Sequence, residues 1–323
     1  MNIDDIRAAD TCLEGYVRRT PLLNSPFLDD IAGKRIFVKP ECLQHTGSFK
    51  FRGAWNAISK LSEAQRRQGV IAFSSGNHAQ GIAMAAATVG APSVIVMPSD
   101  APRQKIDNTR ALGGEVVLYD RASEDRDQIG AQIASDRGLT LIKPFDNYDV
   151  IAGQGTVGLE IARQAKAAGV DAAAVLVPCG GGGLTAGIAL ALDADAPDFR
   201  VHPVEPEGFD DVARSLASGQ IERNARLSGS ICDAIITPSP GELTFPILKR
   251  LCGPGLVVRE DDCQRAMVAA FNRLKIVVEP GAAVALAAAL FHADQIDSDT
   301  VIAVVSGGNV DGPVFADALT RFA

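Results

Sequence analysis

The chain has 323 residues, 47% of them hydrophobic and 5% aromatic, with a formal net charge of −8. That length exceeds one compact core of usual size and predicts two domains. The negative balance argues against nucleic acid or an anionic membrane as partner, while a small anionic substrate still suits a locally positive site. Six cysteines (Cys12, Cys42, Cys179, Cys232, Cys252, Cys263) show no C-x-x-C pair and no histidine-rich company, so neither a zinc site nor a disulfide framework is expected. The start MNIDDIRAAD is acidic without an apolar core, and no apolar run reaches spanning length. The expectation is a soluble, cytoplasmic protein.

In chain order, residues 3–17 read as a helix with Ile6, Ala9 and Leu13 on one side, ended by Arg18, Arg19, Thr20 and Pro21. Residues 35–40 (RIFVKP) read as a short strand, and FRGAWNAISKL has helical spacing with Trp55 and Ile58 on one face. Between them lies ECLQHTGSFKFRGA, residues 41–54. Its Thr46, Gly47 and Ser48 predict a tight turn that caps the helix and offers donors toward a ligand. Lys50 follows Phe49 where strand gives way to helix. An ammonium partly desolvated there has its pKa lowered, which frees a lone pair to attack a carbonyl; a surface lysine at a helix start is the plainer reading of this stretch alone.

The pattern then alternates. Strands are expected at 70–73, 93–97, 115–119 and 140–143, with helices at 77–89, 102–112 and 124–137 between them, which fits one small parallel sheet. From residue 151 the helices lengthen. A strand at 172–177 runs into a glycine loop, followed by a helix at 184–192, a strand at 200–204 and helices at 210–218 and 242–251. A strand at 256–259, a helix at 261–275 capped by Asp261, a helix at 281–292 and a buried strand at 301–305 complete the map. Because the N-terminal part ends in the lysine turn, it should pack with the C-terminal half. The expected division is 1–52 with 146–323 as a large domain and 53–145 as a small inserted domain.

Three loops carry chemistry beside Lys50. In CGGGGLTAG, residues 179–187, four consecutive glycines let the backbone approach an anion, and unpaired N–H groups at the helix start point at it. Gly181, Gly183 and Ala186 also satisfy a loose G-x-G-x-x-A pattern, with Glu205 roughly 20 residues on, so this loop alone does not choose between a dinucleotide and another phosphate ester. SSGNHAQGIA places Ser74, Ser75, Gly76, Asn77 and His78 at a strand end and helix start, suited to a carboxylate or to an ordinary cap; His78 reads equally as a satisfied structural histidine. SGGNVD, from Ser306, ends the last strand at an edge where ligands of α/β sheets collect, and a serine there donates to a ring nitrogen without adding charge. Glu205, Asp210 and Asp211 form an acidic cluster that suits a hard divalent cation, or else Asp210 caps a helix while Asp211 faces solvent.

Together these motifs resemble the serine/threonine dehydratase and serine racemase family, the fold-type II pyridoxal-phosphate enzymes. ECLQHTGSFKFRGA is similar to the family's Schiff-base lysine motif, SSGNHAQGIA to its substrate-carboxylate loop, CGGGGLTAG to its phosphate loop and SGGNVD to its pyridine-nitrogen strand end; VIAGQGTVGLE at 150–160 is also family-like. The resemblance implies an α/β, tryptophan synthase β-like fold of two domains with parallel-rich sheets flanked by helices, the cofactor between them, and a homodimer. It implies that Lys50 bonds the pyridoxal 5′-phosphate aldehyde, Phe49 lies against the ring and Asn77 reaches the phenolic oxygen. Gly180, Gly181, Gly182, Gly183 and Leu184 would hold the phosphate, and Ser306 the ring nitrogen. Ser75 matches the serine that racemases and 3-hydroxyaspartate dehydratases place opposite the lysine, where many threonine dehydratases carry alanine. Glu205, the carbonyl of Phe209 and Asp211 match the divalent-metal site (Mg, Ca or Mn) of the racemase-like branch.

The activity so implied is β-elimination from threonine, serine or 3-hydroxyaspartate to a 2-oxo acid and ammonia, with serine racemisation as the alternative. A nicotinamide-dependent oxidoreductase would leave Lys50 and the Ser306 loop without work. The chain stops soon after its last strand, so end-product feedback through a C-terminal regulatory domain is not expected. His45 reads as an exposed loop histidine or as a partner for a second substrate carboxylate.

Overall fold

Short apolar runs punctuated by glycine-rich turns form the strands, and the computed structural model places them in two sheets. It describes residues 1–74, 76–101, 103–120 and 123–323, with Gln104 and Asp127 described in backbone alone. The strands are β1 (Leu23–Asn24), β2 (Arg35–Pro40), β3 (Val70–Phe73), β4 (Ser93–Pro98), β5 (Glu115–Tyr119), β6 (Thr140–Leu141), β7 (Ala173–Pro178), β8 (Phe199–Pro206), β9 (Leu256–Val258) and β10 (Thr300–Val305).

The larger sheet has the order β1-β2-β10-β7-β8-β9 and is parallel except at β1. Its inner strands β7 and β10 are buried nearly throughout, as strands covered by helices on both faces must be. Register is what builds the site. Val305 pairs with Pro40 and Ala303 with Leu176, so the chain leaves β2, β10 and β7 at one carboxyl edge, delivering the 41–49 turn, Ser306 and the glycine loop to neighbouring positions. The smaller sheet, order β5-β4-β3-β6, is wholly parallel and delivers Ser74 to its own carboxyl edge.

The Lys50–Ser59 helix packs against the Asn77–Thr88 and Tyr148–Ala167 helices. Phe51, Trp55 and Ile58 on it share a core with Leu13, Ile82, Ala86 and Val150. Its first turn is also fastened by a buried ionic cluster. Arg52 donates to Glu41 at 2.7 Å and to Glu160 at 2.7 Å, while Lys39 donates to Glu160 at 2.6 Å. Burial alone would raise the Glu160 carboxyl, but Arg52 and Lys39 outweigh it and hold it below its usual range. Removing one member of such a cluster costs about 3–5 kcal/mol, because a charge is left buried without its partner. The VIAGQGTVGLE segment belongs to the Tyr148–Ala167 helix, where Gly155 lets the Gly183–Asp195 helix approach so closely that a Cβ at Gly187 would sit 2.6 Å from the Gly155 nitrogen.

The expected elements are present with shifted ends. The first helix is Ile3–Leu13, four residues short of the reading from periodicity, because the backbone turns extended at Glu14 (ψ 127°) and then left-handed at Gly15 (φ 80°). Thr244 precedes the Phe245–Leu251 helix instead of lying inside it. Asp261 is not a cap: the Glu260–Leu274 helix starts one residue earlier, after Arg259. The turn at 46–48 does not cap the lysine helix either, since Phe49 occupies that place, and the Thr46 and Ser48 hydroxyls are buried without partners. Among the described residues no helix is long and apolar enough to cross a membrane.

Candidate active site

Four chain segments meet at the carboxyl edges of the two sheets. Three of them are interlocked by hydrogen bonds that are local to none. The Phe49 N–H donates to the Ser306 carbonyl at 3.1 Å, the Gly308 N–H to the Gly47 carbonyl at 2.9 Å, and Ser48 bridges Gly307 in antiparallel fashion. Asn309 then donates to the Thr46 carbonyl at 2.8 Å and to the Asn77 Oδ1 at 2.7 Å. The lysine turn, the last strand end and Asn77 at the start of its helix are thereby held in one frame.

Lys50 begins its helix with its Nζ donating to the Pro144 carbonyl at 3.0 Å and lying 5.0 Å from the centre of the Phe49 ring. Burial pushes its pKa down to about 8, opposed by the Glu279 carboxylate. The neutral, nucleophilic amine is thus within reach near physiological pH. Glu279, which precedes the Pro280–Phe291 helix, accepts from Asn77 Nδ2 at 2.6 Å; burial drives its own pKa up to about 7. Sequence reasoning missed Glu279. Its signal was a carboxylate in Val-Val-Glu-Pro-Gly, directly before an apolar helix.

His78 has its Nε2 3.0 Å from the Ile142 carbonyl, which can only accept, so that nitrogen carries the proton and Nδ1 is left as an acceptor. Nδ1 is buried without a partner, and burial, with Lys50 nearby, depresses the imidazole to about 3. The ring is neutral; one edge is structural and the other is not satisfied by the protein. Ser74 Oγ accepts from the Gly76 N–H at 3.1 Å, shaping the turn before the Asn77–Thr88 helix. Ser75 lies outside the described residues. His45 is not exposed: it is half-buried with its ring edge-on to Phe51 at 5.3 Å.

The glycine loop follows β7 and opens the Gly183–Asp195 helix, with Gly182 at φ 89° before it. That left-handed backbone requires glycine. A Cβ at Gly181 would meet the Phe145 ring at 2.4 Å, so the protein itself closes on the loop from behind. Sequence reasoning assigned all four glycines to a ligand; the packing assigns part of that need to Phe145. Among the described residues no protein acceptor engages the N–H groups of Gly180, Gly181 and Gly182. Donors left unpaired at a helix start, those of Gly181 and Gly182 in buried residues, fit a phosphate.

Glu205 and Asp211 are both fully buried. Glu205 accepts from the Val212 N–H at 2.9 Å and the Ala213 N–H at 2.7 Å, so Glu205, and not Asp210, caps the Asp211–Ser218 helix. Asp211 is no solvent-facing residue. Its Oδ1 accepts from Asn224 while its Oδ2 is buried without a partner. Burial and mutual repulsion raise the Glu205 carboxyl well above its ordinary range, and burial raises Asp211 to about 7. No cluster of three His, Cys, Asp or Glu side chains suited to a metal occurs among the described residues. Two carboxylates with one orphaned oxygen nevertheless fit a cation whose remaining ligands are a backbone carbonyl and water.

Comparison with known proteins shows the family and the fold. Residues 13–307 match the family described as pyridoxal-phosphate dependent enzyme. An L-threo-3-hydroxyaspartate ammonia-lyase from Pseudomonas sp is 45% identical over 316 residues, covering 98% of this chain and 97% of that one. Among solved structures, a threonine deaminase of T.th. superposes with a TM-score of 0.91 at 44% identity, over 96% of this chain and 99% of that one. Maize serine racemase gives a TM-score of 0.91 at 37% identity, over 99% of this chain and 97% of that one.

Proposed function

The chain belongs to the pyridoxal-phosphate dependent enzymes, and within that family we propose that it is an ammonia-lyase acting on a β-hydroxy-α-amino acid, with L-threo-3-hydroxyaspartate as first candidate substrate. The observation that carries the reading is what one carboxyl edge collects: a lowered-pKa lysine, an anion loop with unpaired N–H groups after β7 and a neutral serine after β10. The residue roles follow from it. Lys50 would bond the cofactor aldehyde, Gly180 to Leu184 its phosphate, Asn77 its phenolic oxygen and Ser306 its ring nitrogen, with Phe49 beside the ring.

When bound, the cofactor supplies a conjugated ring that takes up the charge left as the substrate Cα–H bond breaks. The remaining work falls to the chain. The start of the Asn77–Thr88 helix, with Ser74 and Gly76, receives the substrate carboxylate through the helix-end N–H groups. Lys50, whose burial favours the neutral amine, would take the Cα proton as general base. The β-hydroxyl would leave as water with the proton that Lys50 has gained, and the unsaturated amine left behind would take up water to give a 2-oxo acid and ammonia. Ser306, a neutral donor where a carboxylate would favour ring protonation, suits prompt loss of the leaving group. Glu205, the Phe209 carbonyl and Asp211 would hold a divalent cation. The division into 1–52 with 146–323 and 53–145 corresponds in this reading to the two sheets.

The test is a substrate panel of L-threo-3-hydroxyaspartate, L-threonine and L-serine, assayed for 2-oxo acid. Release from at least one supports the lyase, with the first expected fastest; no release from any removes it. Racemisation is the second reading, because residue 75 is a serine. In the same panel Ser75→Ala should suppress serine racemisation more than dehydration, and equal losses would take Ser75 out of the chemistry.

A further inference from the structure

The Phe145 ring closes the glycine loop on one side, and a turn far along the chain closes it on another. The Thr244 hydroxyl donates to the Gly181 carbonyl at 2.6 Å, and the Gly241 N–H donates to the same oxygen at 3.1 Å. Thr244 is fully buried and is itself fixed, its oxygen accepting from the Gly241 N–H at 3.0 Å. The turn is anchored from outside by Asp146, whose Oδ1 accepts from the Leu243 N–H at 2.8 Å. Asp146 directly follows Phe145, and Pro144 holds Lys50, so one short segment backs both the amine and the loop.

From this we propose that Thr244 is a positioning residue for the anion loop, an inference that rests on the cofactor reading above. The reason lies in the peptide unit. No peptide bond among the described residues is cis, and in a trans peptide the C=O and the next N–H point in opposite directions. Two donors drawing the Gly181 carbonyl toward the 241–244 turn therefore turn the Gly182 N–H away from it. Gly182 is left-handed, a conformation in which glycine is free to let this plane rotate. Without the Thr244 hydroxyl, the plane loses its shortest restraint and the N–H its fixed direction. The cost falls on anion binding, because a preorganised donor is worth more than one that must be ordered on binding.

The experiment uses the purified holoenzyme, stripped and retitrated with pyridoxal 5′-phosphate and, separately, with pyridoxal, each read by visible absorbance. Pyridoxal offers Lys50 the same aldehyde without the phosphate. Thr244→Val should weaken pyridoxal 5′-phosphate binding about tenfold, the scale of one lost hydrogen bond to a charged ligand's cradle, and leave pyridoxal within about twofold. Thr244→Ser, which keeps the donor, should restore wild-type affinity. Equal weakening toward both ligands, or toward neither, overturns the proposal. If Thr244→Val fails to fold, Asp146→Ala releases the same turn from its outer side and carries the same expectation and the same refutation. A wild-type protein that binds neither ligand would overturn the cofactor reading as well. One that binds both equally would leave the lysine in place and overturn only the assignment of the loop.

Discussion

Lys50 and Glu279 are each held away from their ordinary range by burial, and the Glu279 carboxylate opposes the shift of the lysine. The carboxylate favours the ammonium, so removing it lowers the lysine further. In Glu279→Gln, the pH at which cofactor attaches to the stripped protein at half its maximal rate should move below about 8, since only the neutral amine attacks. Following the growth of visible absorbance across a pH series reads this directly; an unmoved or raised midpoint would remove Glu279 from the amine's surroundings. At this scale the sequence was informative where a residue's meaning is local. Lys50, Asn77 and Ser306 sit in motifs a few residues long. Glu279, Pro144 and Thr244 are ordinary residues whose partners lie 202, 94 and 63 positions away, and nothing local marks them.

Elements were legible in their interiors and less so at their ends. Periodicity reports the buried stripe, and the buried strands and alanine-rich helices were found from it. A helix end depends instead on which partner satisfies the first N–H groups, and that partner is often distant. Glu205 capping the Asp211–Ser218 helix from the preceding strand is the clearest case. The same element bears the metal proposal. With both carboxylates buried and one Asp211 oxygen orphaned, chelator treatment should lower thermal stability, and magnesium, calcium or manganese should restore it. An unfolding temperature indifferent to chelator and to all three ions would make Glu205 and Asp211 a structural cap and nothing more.

Across the whole molecule, the order of motifs already placed a small parallel unit inside a larger one, and two sheets of those strands are present. What could not be read was the frame that fixes their edges to each other. It consists of backbone contacts, such as Phe49 to Ser306 and Gly308 to Gly47, which no side-chain pattern encodes. The buried Arg52 cluster adds to it by fastening the first helical turn after Lys50 to β2 and to the Tyr148–Ala167 helix. In the proposed function this frame holds the Lys50 amine beside the glycine loop that would bind the cofactor phosphate. The direct test is Lys50→Ala, purified after growth with abundant pyridoxal 5′-phosphate and compared with wild type for visible absorbance and 2-oxo acid release. Wild type should be coloured and active, the variant colourless above the free cofactor and inactive. A variant that keeps the protein-bound chromophore or its turnover would contradict the account at its centre.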